Sequence, residues 1–169
     1  PPQVPLAPAT ADSTTDRLFP RYDVLKPRIA FWKKVFGQYS ELHSAVHSTQ
    51  YPEKVFEVLD FSDEAQRLSK EQLARVRRDA EDKAKRRVDQ LLRSAHEKRH
   101  APETLSADER KLHDLFSDVK DDNRLLAAIG SFRAQRGLRE RTEQALRISG
   151  SYLPEMEHIF ASYGLPKQL

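Results

Sequence analysis

Cysteine is absent from the 169-residue chain, which excludes thiol catalysis, thiolate metal sites and internal disulfides. Its absence fixes no compartment, because exported proteins also occur without it. Apolar residues are few, at 38% against 33% charged. That balance is thin for a sandwich and fits a lean core with one or more solvated helices. No stretch of about 18 apolar residues is present to cross a bilayer. Charge of one sign does not dominate either. The net charge is +3 with a pI near 9.2, which permits acidic partners without requiring them. No signal peptide is visible, but a chain opening Pro1-Pro2-Gln3 is expected to continue upstream, so that absence is uninformative.

What is present is proline at the start and helical periodicity after it. Residues 1–18 hold four of the ten prolines, with Ala, Ser and Thr and almost nothing to bury. Such a composition cannot offset its ordering entropy and is expected to form a disordered, Pro-rich linker. Structure is expected from Phe19. Over residues 23 to about 42 the spacing of Leu25, Ile29, Trp32, Phe36 and Tyr39 predicts one face of a helix, with Pro27 in its first turn. Phe31, Trp32 and Phe36 are expected to anchor it in the core. Residues 45–61, AVHSTQYPEKVFEVLDF, predict a short β-hairpin punctuated at Tyr51-Pro52, with Val55, Phe56, Val58 and Phe61 favouring extension. No other strand is expected.

Ser69-Lys-Glu-Gln72 is a capping-box pattern opening a long helix. Leu73, Val76, Ala80, Ala84, Val88, Leu91 and Ala95 recur along it every three or four residues, a narrow stripe on an otherwise charged circumference. Residues 67–99 hold twelve Lys and Arg against six Asp and Glu, a local excess of +6, so the rest of the chain is net −3. A second capping box, Ser106-Ala-Asp-Glu109, predicts a shorter helix carrying Leu112, Leu115, Phe116 and Val119. Another helix is expected through Leu125, Leu126, Ile129 and Phe132, closed by Gly137 as its C′ residue. Two more follow, one over residues 138–149 stopped by Gly150, and one opened by Pro154 and stopped by Gly164. The fold class is mainly α: a multi-helix domain with one long solvated basic helix and one short β-hairpin. The domains read as the linker 1–18, a helical domain 19–137 with the hairpin near 45–61, and a C-terminal helical segment 138–169.

Three constellations suggest chemistry. His96-Glu97-Lys98-Arg99-His100 is an H-E-x-x-H string, the spacing that sets two zinc ligands on one helical face. It lies at the charged end of a solvated helix, just before Pro102, without a third ligand, where the helix dipole alone accounts for histidine. The basic residues between 67 and 99 match a polyanion grip, yet no aromatics interleave for base stacking and acids are spaced among them at i,i+4. Glu155 and Glu157 are the best-placed carboxylates near the C-terminus, but acids there also stabilise the helix that Pro154 opens. No nucleophilic Ser/His pairing and no P-loop is found. The reading assigns no catalytic, cofactor-binding or metal residue, and calls for no cofactor.

Two flanking segments resemble the N-terminal portion of the periplasmic, membrane-bound lytic murein transglycosylases of the D type. Phe31-Trp32 followed by VHSTQYPEKVFEVLDF is similar to that family's FW…IHD…VVYEVIDF region. GLRERTEQALRISGSYLPEMEHIFASYGLPKQL, residues 137–169, is similar to its SG-x-Y-x-P…I-F…GLP-x-EL run, through Ser149-Gly150, Tyr152, Pro154, Ile159-Phe160 and Gly164-Leu165-Pro166. Residues 62–120 match only in helical, charged character. The resemblance implies an enzyme that cleaves the β-1,4 bond between N-acetylmuramic acid and N-acetylglucosamine without water, leaving a 1,6-anhydromuramoyl end. A single Glu serves as acid and then base, unlike the two-carboxylate hydrolases. That Glu lies in an L-P-x-V-E-S segment after GLP-x-EL. The counterpart here, Gly164-Leu-Pro-Lys-Gln-Leu169, ends before it and carries Gln168 where the family has an acid.

By resemblance, residues 138–169 are the leading helices of a lysozyme-like domain, and the chain alone is expected to be inactive. Its implied partners are peptidoglycan, through glycan strands or acidic stem peptides, and its own downstream catalytic domain or another cell-envelope protein. The implied location is the periplasm or cell envelope of a Gram-negative bacterium, with membrane contact only through an N-terminal anchor outside this sequence. The alternative is a helical adaptor that binds a protein through an exposed apolar stripe. A weaker third reading is nucleic-acid binding through residues 67–99, which predicts steep salt dependence.

Overall fold

The computed structural model describes residues 22–166; the expected linker 1–18 lies outside them. After a 3-10 turn at Asp23–Leu25 come α1 (Lys26–Gly37), β1 (His43–Ser48), β2 (Val55–Asp60), the short α2 (Ser62–Ala65) and the long α3 (Lys70–Glu97). A 3-10 turn at Pro102–Thr104 leads to α4 (Ala107–Leu115), α5 (Arg124–Ala128), β3 (Phe132–Arg136), α6 (Arg139–Ser149) and α7 (Leu153–Ser162). The protein is mainly α, as the periodicity predicts, with one long solvated helix.

The sheet departs from expectation. It has three antiparallel strands in the order β2-β1-β3, and β3 occupies residues read as the end of a helix. α5 stops after Ala128 because Ile129 is extended (φ −62°, ψ 130°) and Gly130 takes φ 73°, a left-handed conformation that glycine adopts without steric cost. After Ser131, residues 132–136 pair with β1, Ser48 opposite Phe132 and Ser44 opposite Arg136. Gly137 therefore caps no helix. Its amide donates to the His43 carbonyl at 3.1 Å, and Leu138 donates to Val35 at 2.8 Å, locking the strand's exit against α1.

β1 is buried on both faces, as a central strand covered by helices must be. Alternation sorts its side chains. Ala45 packs with Phe31 and Val35 of α1, and the His47 ring lies 4.7 Å from Phe31. On the other face, Ser44 Oγ donates to Glu81 of α3 at 2.6 Å. A bulge interrupts the β1–β2 pairing, where Val46 opposes Glu57 and His47 opposes Val55. Phe56 is thus the extra residue. Phe56 and Glu57 both reach α3, the first in the core with Val88, Leu92 and Phe116, the second as an ion pair with Arg87.

The first helix is shorter than residues 23–42, and a different face is buried. Phe31 and Val35, one turn apart, enter the core. Trp32 and Phe36 are 36% and 43% exposed, so neither is the expected anchor. α1 carries apolar residues on two adjacent stripes, and its period cannot say which one the sheet will cover.

Both capping boxes form, Ser69 with Gln72 and Ser106 with Glu109. In α3 the burial is confined to its second half plus one arginine: Ala84, Val88, Leu92, Ala95 and Arg77 are buried. Val88, Leu92 and Ala95 meet Leu105, Leu112, Phe116, Leu125 and Ala128 from α4, α5 and their lead-ins. Glu109 ties this packing together. It is buried and accepts from Lys98 Nζ at 2.8 and 2.9 Å, from Ser94 Oγ, and from the Ser106 amide at 2.6 Å. The Lys98 ammonium first, then these neighbours, pull its carboxyl pKa down to about 2.

Candidate interaction surface

α6 starts as part of the folded unit. Arg139 N donates to the Tyr39 carbonyl at 3.1 Å, and Glu140 accepts from the Glu41 amide at 2.8 Å. Beyond residue 142 the chain leaves that support. Every residue from 143 to 165 is exposed except the half-buried Ser149 and Phe160. Neither α6 nor α7 buries a single residue, although Leu146, Ile148, Tyr152, Leu153, Met156, Ile159, Tyr163 and Leu165 are large and apolar.

The local structure of this arm is well specified even so. Pro154 occupies the first turn of α7, where its missing N–H costs nothing. Gly164 ends α7 at φ 67°, with Leu165 N bonded to the Phe160 carbonyl at 2.9 Å, a left-handed helix stop. The arm is thus helical by its own punctuation while its apolar surface lacks a cover among the described residues. Large apolar side chains left exposed along one segment mark it as a candidate interaction site. α1, which α6 packs against, adds Leu25, Trp32 and Phe36 as exposed apolar residues.

The remaining sequence candidates do not converge. α3 ends at Glu97, and the chain turns with Lys98 N bonded to Ser94 and Arg99 N to His96. His100 therefore falls past the helix, and the two imidazoles of the H-E-x-x-H string do not share a helical face. Glu155 and Glu157 are both exposed on α7. On α3, Arg93 pairs with Asp89 at 2.7 Å, Lys85 with Asp82 at 3.4 Å, Arg87 with Glu57, and Lys98 with Glu109. Three of the nine cations of α3 are thus met by carboxylates among the described residues, as is Lys98 just past its end.

One convergence was missed by sequence reasoning. A cavity of about 310 Å³ is lined by Glu41, Leu42, Lys70, Leu73, Ala74, Arg77 and Arg136. Lys70, Leu73, Ala74 and Arg77 come from the first two turns of α3. Arg136 arrives because Phe132, Ala134 and Arg136 alternate onto the sheet face that meets α3. The alternating pattern in FRAQR was the available signal, overridden by the helical periodicity running into it.

Comparison with known proteins finds no counterpart: no family model, no curated protein and no solved structure matches the chain.

Proposed function

We propose that the chain is the non-catalytic N-terminal region of a peptidoglycan lytic transglycosylase, an enzyme that cleaves the MurNAc–GlcNAc β-1,4 bond to leave 1,6-anhydromuramoyl ends. The observation that carries this reading is the C-terminal pair of helices. The quoted run SGSYLPEMEHIFASYGLP folds as a helix stop, α7 and a second stop, and exposes the apolar residues that the leading helices of a lysozyme-like domain would bury in their own core. The proposal places no catalytic residue among these 169 residues. Its role in the proposal is to support the glycan cleft from outside or to hold the enzyme on the wall, in the periplasm or cell envelope.

Zymography on peptidoglycan tests this directly. The 169 residues alone are expected to give no clearing, and the chain extended by the sequence encoded after Leu169 is expected to clear. The proposal also expects a Leu-Pro-x-x-Glu-Ser segment in that extension. Clearing by the 169 residues alone, or a stop codon directly after Leu169, sinks it.

The exposed Trp32 and Phe36 on α1 favour a second reading, a helical module that binds a protein partner and has no enzymatic role. A stop codon after Leu169 would favour it.

A further inference from the structure

The cavity between the start of α3 and the exit of the sheet is a built cationic site. Arg77 is its centre. The side chain is 7% exposed, lies over the Phe61 ring at 5.2 Å, and is fixed by one hydrogen bond from Nη2 to the Glu41 carbonyl at 2.9 Å. Its Nε is buried without a partner among the described residues, and no carboxylate there lies within ion-pair distance of it. A buried guanidinium left in this condition is costly, because its donors have given up water without full replacement.

The surroundings add positive charge. Arg136 and Lys70 line the same cavity. Burial first and the Arg136 charge second hold the Arg77 guanidinium below its ordinary range, while Glu81 and Glu41 act in the opposite direction. Ser44 holds Glu81 from the side. Of the residues lining the cavity three are cations, Lys70, Arg77 and Arg136, and one is a carboxylate, Glu41, so the lining carries a net positive charge. Its remaining walls are Leu42, Leu73 and Ala74, which suit an alkyl group.

We infer that this cavity binds a monoanionic carboxylate carried on a small aliphatic residue, as at the free C-terminus of a short peptide. The planar guanidinium of Arg77 supplies the paired N–H geometry that a carboxylate accepts. Inorganic phosphate brings no alkyl group for the Leu42, Leu73 and Ala74 wall and is expected to bind more weakly. Arg136 and Lys70 close over the carboxylate from the exposed side, and the aliphatic wall holds the side chain next to it. The inference goes beyond the transglycosylase reading and does not depend on it, and its test uses no cell-wall material.

The test is NMR titration of the full chain with acetyl-Ala-Ala, its C-terminal amide, and inorganic phosphate. The free acid is expected to give saturable shifts at residues 41–42, 70–77 and 136, and the amide none. Arg136→Gln and Lys70→Gln, both at exposed positions that leave the core untouched, are each expected to weaken binding about tenfold, the loss of one hydrogen bond to a charged group. Arg77→Lys keeps the charge but not the fork, and is expected to weaken it further. The inference is overturned if the acid gives no saturable shift, if the amide binds as well, if phosphate binds more tightly, or if Arg136→Gln binds like the wild type.

Discussion

Gly137 has no room for a side chain. A Cβ there would sit 2.2 Å from the carbonyl oxygens of both Tyr39 and Ser40, backbone atoms that cannot swing aside. Gly137→Ala is expected to cost about 3 kcal/mol, the upper part of the overpacking range, read as a fall in the urea midpoint at unchanged slope. A change within about 0.5 kcal/mol, typical of neutral surface positions, would show that the junction yields. His47 and Glu109 are two of the titratable residues that give the stability its pH dependence. His47 Nδ1 donates to the Ser48 carbonyl at 2.8 Å, which leaves the buried Nε2 unprotonated and without a partner. Burial lowers its pKa below 6.5, and Arg133 adds to the effect. The unfolded chain then binds the proton more readily than the folded one, so stability is complete above about pH 6.5 and falls as the pH drops below it. Glu109 acts lower. Its stabilisation is present above about pH 4.5 and disappears as the pH falls toward about 2. Urea midpoints measured from pH 8 to 2 are expected to show two descending limbs. His47→Gln should flatten the upper limb, and Glu109→Gln should make the lower one shallower, with Asp60, Glu71, Asp118 and Glu140 supplying what remains of it; an upper limb that survives His47→Gln assigns it to another group.

Among the elements, α3 divides into two parts. Its capping box and its 28 residues make it one continuous helix, but only the half from Ala84 onward fills the core. Leu92, fully buried among Val88, Leu112 and Phe116, is expected to cost about 2–5 kcal/mol when changed to Ala. Val76, 38% exposed, is expected to cost less than about 0.5 kcal/mol for the same change, although its place in the apolar period is as regular. Chemical denaturation of the two variants decides, and equal losses would mean that the N-terminal half is packed after all. This contrast also shows what the sequence could convey. Periodicity marked the helices, the caps marked their starts at Ser69 and Ser106, and the β-branched run marked β2. It could not say which of two apolar stripes α1 buries, because that depends on the sheet it meets. β3 was hidden for a related reason. Leu125, Leu126, Ile129 and Phe132 keep helical spacing straight through Gly130, and pairing with β1 outweighs local preference beyond that glycine. The Lys70, Arg77 and Arg136 cavity was illegible for as long as β3 was read as a helix, since only strand alternation turns Arg136 toward α3.

At the scale of the whole molecule, stability and apolar exposure are unevenly distributed. Two buried clusters sit on opposite faces of the sheet, Phe31, Val35 and Ala45 on one and the group around Leu92 and Phe116 on the other. Neither includes a residue after Leu138. The segment from 143 to 165 holds its helices with local hydrogen bonds and end signals alone, and short isolated helices are marginal in water. Local opening there is therefore expected to need far less free energy than opening of β1. In hydrogen exchange, the amides of α7 should exchange orders of magnitude faster than those of residues 44–48, and removing residues 150–169 should leave the thermal midpoint within about 2 °C, the shift of a sub-kilocalorie change. The proposed function adds a condition that a free-standing arm does not meet. When the chain is extended by the sequence encoded after Leu169, Leu153, Met156, Ile159 and Leu165 should become buried, and α7 should gain protection to match the rest of the protein. Slow exchange of α7 in the 169 residues alone would mean that the arm already has a cover, through self-association or through the fold itself. Persistent fast exchange in the extended chain would remove the arm from any lysozyme-like core, and the transglycosylase reading with it.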